Sequence, residues 1–102
     1  MTSRGREVFI EIEPDVRVRY RRSEPPPPIT LELLDAGSWT TIRLWDNADA
    51  VDEHHEHEYT RRGGKRPPTI LDYASTNEAM AAAIRKATSD WQAILLTWQE
   101  AP

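Results

Sequence analysis

The sequence contains no cysteine, which removes disulfides, thiolate metal sites and cysteine nucleophiles together. A chain of 102 residues without covalent staples must be held by a small core, since a domain of this size buries only about 60–65% of its unfolded surface. No run approaches the ~18 apolar residues of a bilayer span, so nothing in it predicts a membrane protein. Met1-Thr2-Ser3-Arg4-Gly5-Arg6 leads into an apolar run too short and too charged for a signal peptide, from which a cytoplasmic setting is expected. Phenylalanine occurs once, and the bulk for a core comes instead from four Trp and three Tyr. Serine-hydrolase elbows and P-loop spacings are also missing, which leaves those two chemistries without motif support.

What is present is charge, and it is segregated. Residues 46–58 hold six acids (Asp46, Asp49, Asp52, Glu53, Glu56, Glu58) and three histidines, with no Lys or Arg among them. Arg61, Arg62, Lys65 and Arg66 follow directly, and Arg17, Arg19, Arg21 and Arg22 form an earlier basic group. The net charge of −4 gives no global attraction to nucleic acid, but the separation of signs leaves local basic patches.

The pattern of apolar residues predicts strands first and a helix last. Residues 7–13 carry Val8, Phe9, Ile10 and Ile12, and Pro14-Asp15 supplies a turn. Residues 16–21 alternate without a fault, with Val16, Val18 and Tyr20 inward and Arg17, Arg19 and Arg21 toward water. Four prolines, Pro25 to Pro28, read as a stiff connector or as a ligand for a proline-binding domain. A third strand over 29–35 has Ile29, Leu31 and Leu33 on one face, and Asp35-Ala36-Gly37-Ser38 turns into a fourth. Strict alternation there places Trp39, Thr41, Arg43 and Trp45 on one side and Thr40, Ile42, Leu44 and Asp46 on the other. Residues 54–60 form a candidate fifth strand, and Arg61 to Arg66 read as a flexible tip closed by Pro67-Pro68. Ser75-Thr76-Asn77-Glu78 has the spacing of a capping box, and Met80, Ile84, Ala87, Trp91, Ile94, Leu95 and Trp98 follow as one helical stripe. That stripe either covers the sheet or forms a dimer seam. The expected fold is α+β, in one domain over 1–102. It is an antiparallel meander of four or five strands across about 7–60, with one long C-terminal helix over about 76–100 packed on one face.

The histidine–carboxylate segment is the strongest chemical feature. On a strand, His55 and His57 point the same way, roughly 6.5–7 Å apart along the chain, with His54 on the opposite face. Two imidazoles so placed can share a divalent metal with a carboxylate, Asp46 or Asp49, which makes His55, His57 and Asp49 a candidate metal set. Without a metal they can act as a proton donor and acceptor, because imidazole titrates near neutrality. A charged edge strand that discourages sheet-to-sheet association explains the same residues with no chemistry. Arg61, Arg62, Lys65 and Arg66, with Gly63-Gly64 among them, are candidate phosphate-binding residues beside the histidines. Arg17, Arg19 and Arg21 form either a second phosphate track or the water face of a strand. Trp39 and Trp45 either stack bases or fill the core.

The run Ile42-Arg43-Leu44-Trp45-Asp46-Asn47-Ala48-Asp49, followed by His54-His55-Glu56-His57, resembles the TumE-like toxins of bacterial toxin–antitoxin pairs and related small domains of unknown function. The likeness extends over residues 29–98, while the N-terminal hairpin and the tetraproline segment have no counterpart in it. It implies a cytoplasmic bacterial protein partnered by a helix-turn-helix antitoxin, with Asp46, Asn47, His55 and His57 as the residues carried over. On this reading the protein acts on or binds RNA. His55 and His57 do the proton work or bind a metal, Asp46 and Asn47 orient them, and Arg61, Arg62, Lys65 and Arg66 hold phosphate. The cofactor is either none or a divalent metal. The alternative is a non-catalytic interaction module that works as a homodimer or as a partner of another protein.

Overall fold

A computed structural model describes residues 6–22, 28–46 and 54–102. Its elements are β1 (Arg6–Glu13), β2 (Val16–Arg22), β3 (Ile29–Asp35), β4 (Ser38–Asp46), β5 (His54–Thr60), β6 (Gly64–Lys65), β7 (Thr69–Leu71) and α1 (Thr76–Glu100). All pairings are antiparallel, in the order β1-β2-β3-β4-β5, and both β6 and β7 pair with the far edge of β5. The α+β meander with one C-terminal helix is therefore what forms. Among the described residues the sheet has seven strands where alternation predicts four or five, because β6 and β7 are too short to show a period. They occupy backbone donors and acceptors that would otherwise leave β5 an open edge.

Residues 61–66, expected as a flexible tip, are tied down. The Arg61 N–H donates to the Trp98 carbonyl at 2.8 Å, and the Arg66 N–H donates to the Glu58 carbonyl at 2.8 Å. Gly63 donates its N–H to Thr60 Oγ1 at 2.8 Å, and a Cβ at Gly63 would stand 2.9 Å from that oxygen, closer than any side chain tolerates.

The core lies between one face of the sheet and α1. Val16, Val18, Ile29, Leu31 and Ile42 are sealed from solvent, and Ala83, Ala87, Ile94 and Trp98 cover them from the helix. Met80, Ile84, Trp91 and Leu95 flank this set, so the predicted stripe is the face that covers the sheet. Ser75 caps α1 by accepting from the Glu78 N–H at 3.1 Å, while the Glu78 carboxylate accepts from the Ala74 N–H at 3.0 Å. Among the described residues no helix is long and apolar enough to cross a membrane.

One irregularity positions the site. Leu31 pairs with Arg43 and the next residue, Glu32, pairs with Thr41, so Ile42 is an extra residue in β4, a β-bulge. Beyond it the alternation inverts. Arg43 pairs with core-facing Leu31 and Trp45 with core-facing Ile29, while Leu44 and Asp46 turn to the face that carries no helix. The expectation that Trp39 and Trp45 share a face is thereby corrected: Trp45 is core and Trp39 is on the open face, 36% exposed.

Candidate metal centre

β4 pairs with β5 in a register that sets Asp46 opposite His55 and Leu44 opposite His57. Paired residues share a face, so Asp46, His55 and His57 all stand on the open side, while His54 and Glu56 face the helix. The predicted strand over 54–60 and the shared face of His55 and His57 are thus both present. His54 packs edge-on against Tyr73 with ring centroids 6.1 Å apart, and it takes no part in the cluster.

The three side chains converge. Asp46 Oδ1 lies 3.8 Å from His55 Nδ1 and 3.8 Å from His57 Nε2, and one ligand atom from each residue falls within 4.8 Å of the others. Their side chains are only 13%, 13% and 11% exposed, respectively. His57 Nδ1 is 2.9 Å from the Arg66 carbonyl, which can only accept, so Nδ1 carries the proton. In the neutral ring the lone pair is then on Nε2 and directed toward Asp46. Asp46 Oδ1 is buried and has no hydrogen-bond partner among the described residues. A carboxylate oxygen without a donor, facing an imidazole lone pair at restricted solvent access, is a position that attracts a cation. Ligand atoms around a tetrahedral ion at ~2.0–2.1 Å stand about 3.4 Å apart, so closure on a metal needs only small side-chain adjustments. Asp46 also reaches Tyr59 electrostatically: burial, and then the Asp46 charge, raise the phenol above its ordinary value.

Of the expected site residues, the structure brings together Asp46, His55 and His57. The proposed orienting residue Asn47 and the proposed ligand Asp49 lie outside the described residues. The basic residues scatter. Arg61 stacks over Trp98 at 5.3 Å and stands 3.8 Å from Asp35, and Arg66 Nη1 lies near Gly63; only Lys65, opposite Tyr59, is on the face of the histidines by register. The Arg17, Arg19 and Arg21 row lies on the open face, with the Arg19 and Arg21 side chains 42% and 49% exposed, and carboxylates from neighbouring strands pair with it there. Arg17 bonds Glu32 at 2.8 Å, with Phe9 and Trp39 rings at 4.5 and 3.9 Å, and Arg19 bonds Glu7 at 2.7 Å. The Glu7 carboxylate is lowered by its hydrogen bond from Arg19.

Two contributors escape sequence reasoning. The orienting acceptor for His57 is a backbone carbonyl, which any residue could supply at position 66. Glu56, between the two histidines, is buried on the opposite face against Arg43 and Lys86. The alternation of β5 is the signal that would find it. Comparison of the chain with protein-family models, with curated proteins and with solved structures gives no match in any of the three.

Proposed function

We propose that this protein binds one divalent transition-metal ion through Asp46, His55 and His57 on the open face of its sheet. The observation that carries the proposal is the convergence of Asp46 Oδ1, buried and without a hydrogen-bond partner among the described residues, on two imidazole nitrogens at 3.8 Å. Two nitrogen donors and one carboxylate suit zinc, cobalt, nickel or copper rather than magnesium or calcium, which take oxygen ligands. The described residues supply three ligands, and a metal held by those three alone keeps at least one position open, the arrangement of a reactive rather than a purely structural site. Calorimetric titration of the chelator-treated protein with zinc tests the proposal. One ion per chain is expected, weakened at least tenfold in Asp46→Asn and in His57→Ala. No saturable uptake by the wild type overturns it.

RNA is our proposed substrate class for this centre. Support comes from the open face itself, where Phe9 is 49% exposed, Trp39 36%, and Lys65 shares the side of the histidines by register. Arg17 covers one face of each ring, and the exposed remainder, with the guanidinium between them, offers contacts to unpaired bases, while a divalent ion supplies Lewis-acid stabilisation to a phosphodiester. Incubating metal-loaded protein with single-stranded RNA should give cleavage that His55→Ala/His57→Ala abolishes. Neither cleavage nor binding by folded, loaded protein removes RNA and leaves the metal site within an interaction module. Growth arrest on induced expression, absent in the same double variant, is the expected cellular counterpart for a toxin.

A further inference from the structure

The two strands that carry the proposed ligands are fastened to each other on their other face. Glu56 is the residue between His55 and His57, and alternation turns its carboxylate toward the helix, where the residue is 6% exposed. Arg43 Nη1, from β4, donates to Glu56 Oε2, and Lys86 Nζ, from the middle of α1, lies 2.9 Å from both Glu56 oxygens. Arg43 also approaches Glu58 at 3.4 Å through Nη2. The cluster therefore links β4, β5 and α1 at one point beneath the histidines, three residues along β4 from Asp46.

Arg43 and Glu56 are buried while the Lys86 side chain reaches them from the surface, 43% exposed, and a buried ion pair is a costly way to fill that space. An apolar set of similar volume would be as stable or more so, while each charged hydrogen bond fixes direction and register in a way that apolar contacts do not. Here the fixed register is the one that sets Asp46 opposite His55 and His57 beside Leu44. A strand free to slide or twist by a fraction of a residue would separate Asp46 Oδ1 from the imidazoles, which already stand at 3.8 Å.

Resting on the metal reading above, we infer that Arg43, Glu56 and Lys86 form a positioning clamp for the metal centre. The clamp holds β5 against β4 and α1 so that His55 and His57 face Asp46. None of the three touches the ion. They act through the strand whose opposite face carries the ligands, and Lys86 makes metal affinity depend on the docking of α1.

Lys86→Met tests the clamp, because it keeps the aliphatic stem and removes only the charge. Far-UV circular dichroism first establishes that the variant is folded, with Glu56→Gln as a second variant should it not be. Zinc titration should then show affinity about tenfold weaker than wild type, the low end of the range for groups bonded directly to a ligand, and Lys86→Arg should restore it to within about threefold. In the metal-free protein, long-range proton–nitrogen correlation should show His57 with its proton on Nδ1 in the wild type and a mixture of tautomers in Lys86→Met. Unchanged zinc affinity in a folded Lys86→Met overturns the clamp while leaving the metal centre standing. Absence of zinc uptake by the wild type overturns the metal reading instead, and an unaltered His57 tautomer in Lys86→Met then overturns the clamp as well.

Discussion

His57 donates its Nδ1 proton to the Arg66 carbonyl at 2.9 Å, and this bond decides which nitrogen faces Asp46. The carbonyl belongs to the segment that returns along β5, so the β5–β6 hairpin selects the tautomer that leaves Nε2 bare. Metal-ligating histidines are oriented in the same manner, by a second hydrogen bond on the nitrogen away from the ion.

Asp46→Asn should stabilise the metal-free protein. The amide can donate to the Nε2 lone pair, giving a partner to an oxygen position that has none among the described residues, and a gain of about 1 kcal/mol is expected from satisfying one buried polar group. Chemical denaturation in excess chelator measures it. A destabilised Asp46→Asn would mean that the carboxylate is already satisfied, for example by a protonated His57.

Zinc should stabilise the wild type by linkage. At free zinc a hundredfold above its dissociation constant the gain is about 2.7 kcal/mol. For a domain of this size that is a rise in Tm of roughly 10–20 °C. Chelator should reverse it, and His55→Ala/His57→Ala should show no zinc-dependent shift by scanning calorimetry.

Glu56 should make stability pH-dependent. Burial alone would raise its carboxyl, but hydrogen bonds from Lys86 and Arg43 outweigh burial and hold it below its ordinary 4.5. A carboxylate lowered in the folded state contributes stability that is complete above 4.5 and is lost as the pH falls through the lowered folded value. Thermal melts should therefore fall off in acid for the wild type and more gently for Glu56→Gln. At pH 7 that variant should be weaker by about 3 kcal/mol, the low end for breaking a buried ion pair, since Lys86 can turn to water.

The β3–β4 hairpin stores a small strain. Ala36 has φ 51° and Gly37 φ 83°, the two left-handed residues of a tight two-residue turn between Asp35 and Ser38. Ala36→Asn or Ala36→Gly should raise stability by roughly 1 kcal/mol, because alanine carries the Cβ penalty that asparagine offsets and glycine avoids. Denaturant midpoints for the two variants check it, and a loss in both would place the strain elsewhere.

Most of the fold is legible in the sequence because it rests on local period. Val16, Val18 and Tyr20 alternate with arginines, Ser75 and Glu78 cap a helix, and Ile94 and Trp98 lie on the stripe that covers the sheet. The site is legible only in part. His55 and His57 share a face as any two alternate strand residues do, but Asp46 joins them through the β4–β5 register, and the bulge at Ile42 turns that shared face away from the helix; register and bulge are properties of paired strands that one strand's sequence does not reveal. The basic groups illustrate the other gap. Arg17 and Arg19 alternate like solvent-facing residues, yet their partners Glu32 and Glu7 come from neighbouring strands, so the charge that the sequence displays is largely consumed within the sheet.

Titration of the chelator-treated protein with cobalt, followed by visible absorption, decides whether Asp46, His55 and His57 hold a metal ion. The metal reading predicts bands that saturate at one cobalt per chain, with the intensity of a low-coordinate nitrogen and oxygen site, displaced by zinc and absent in His55→Ala/His57→Ala. Featureless titration of the wild type, or bands that persist unchanged in the double variant, would contradict it.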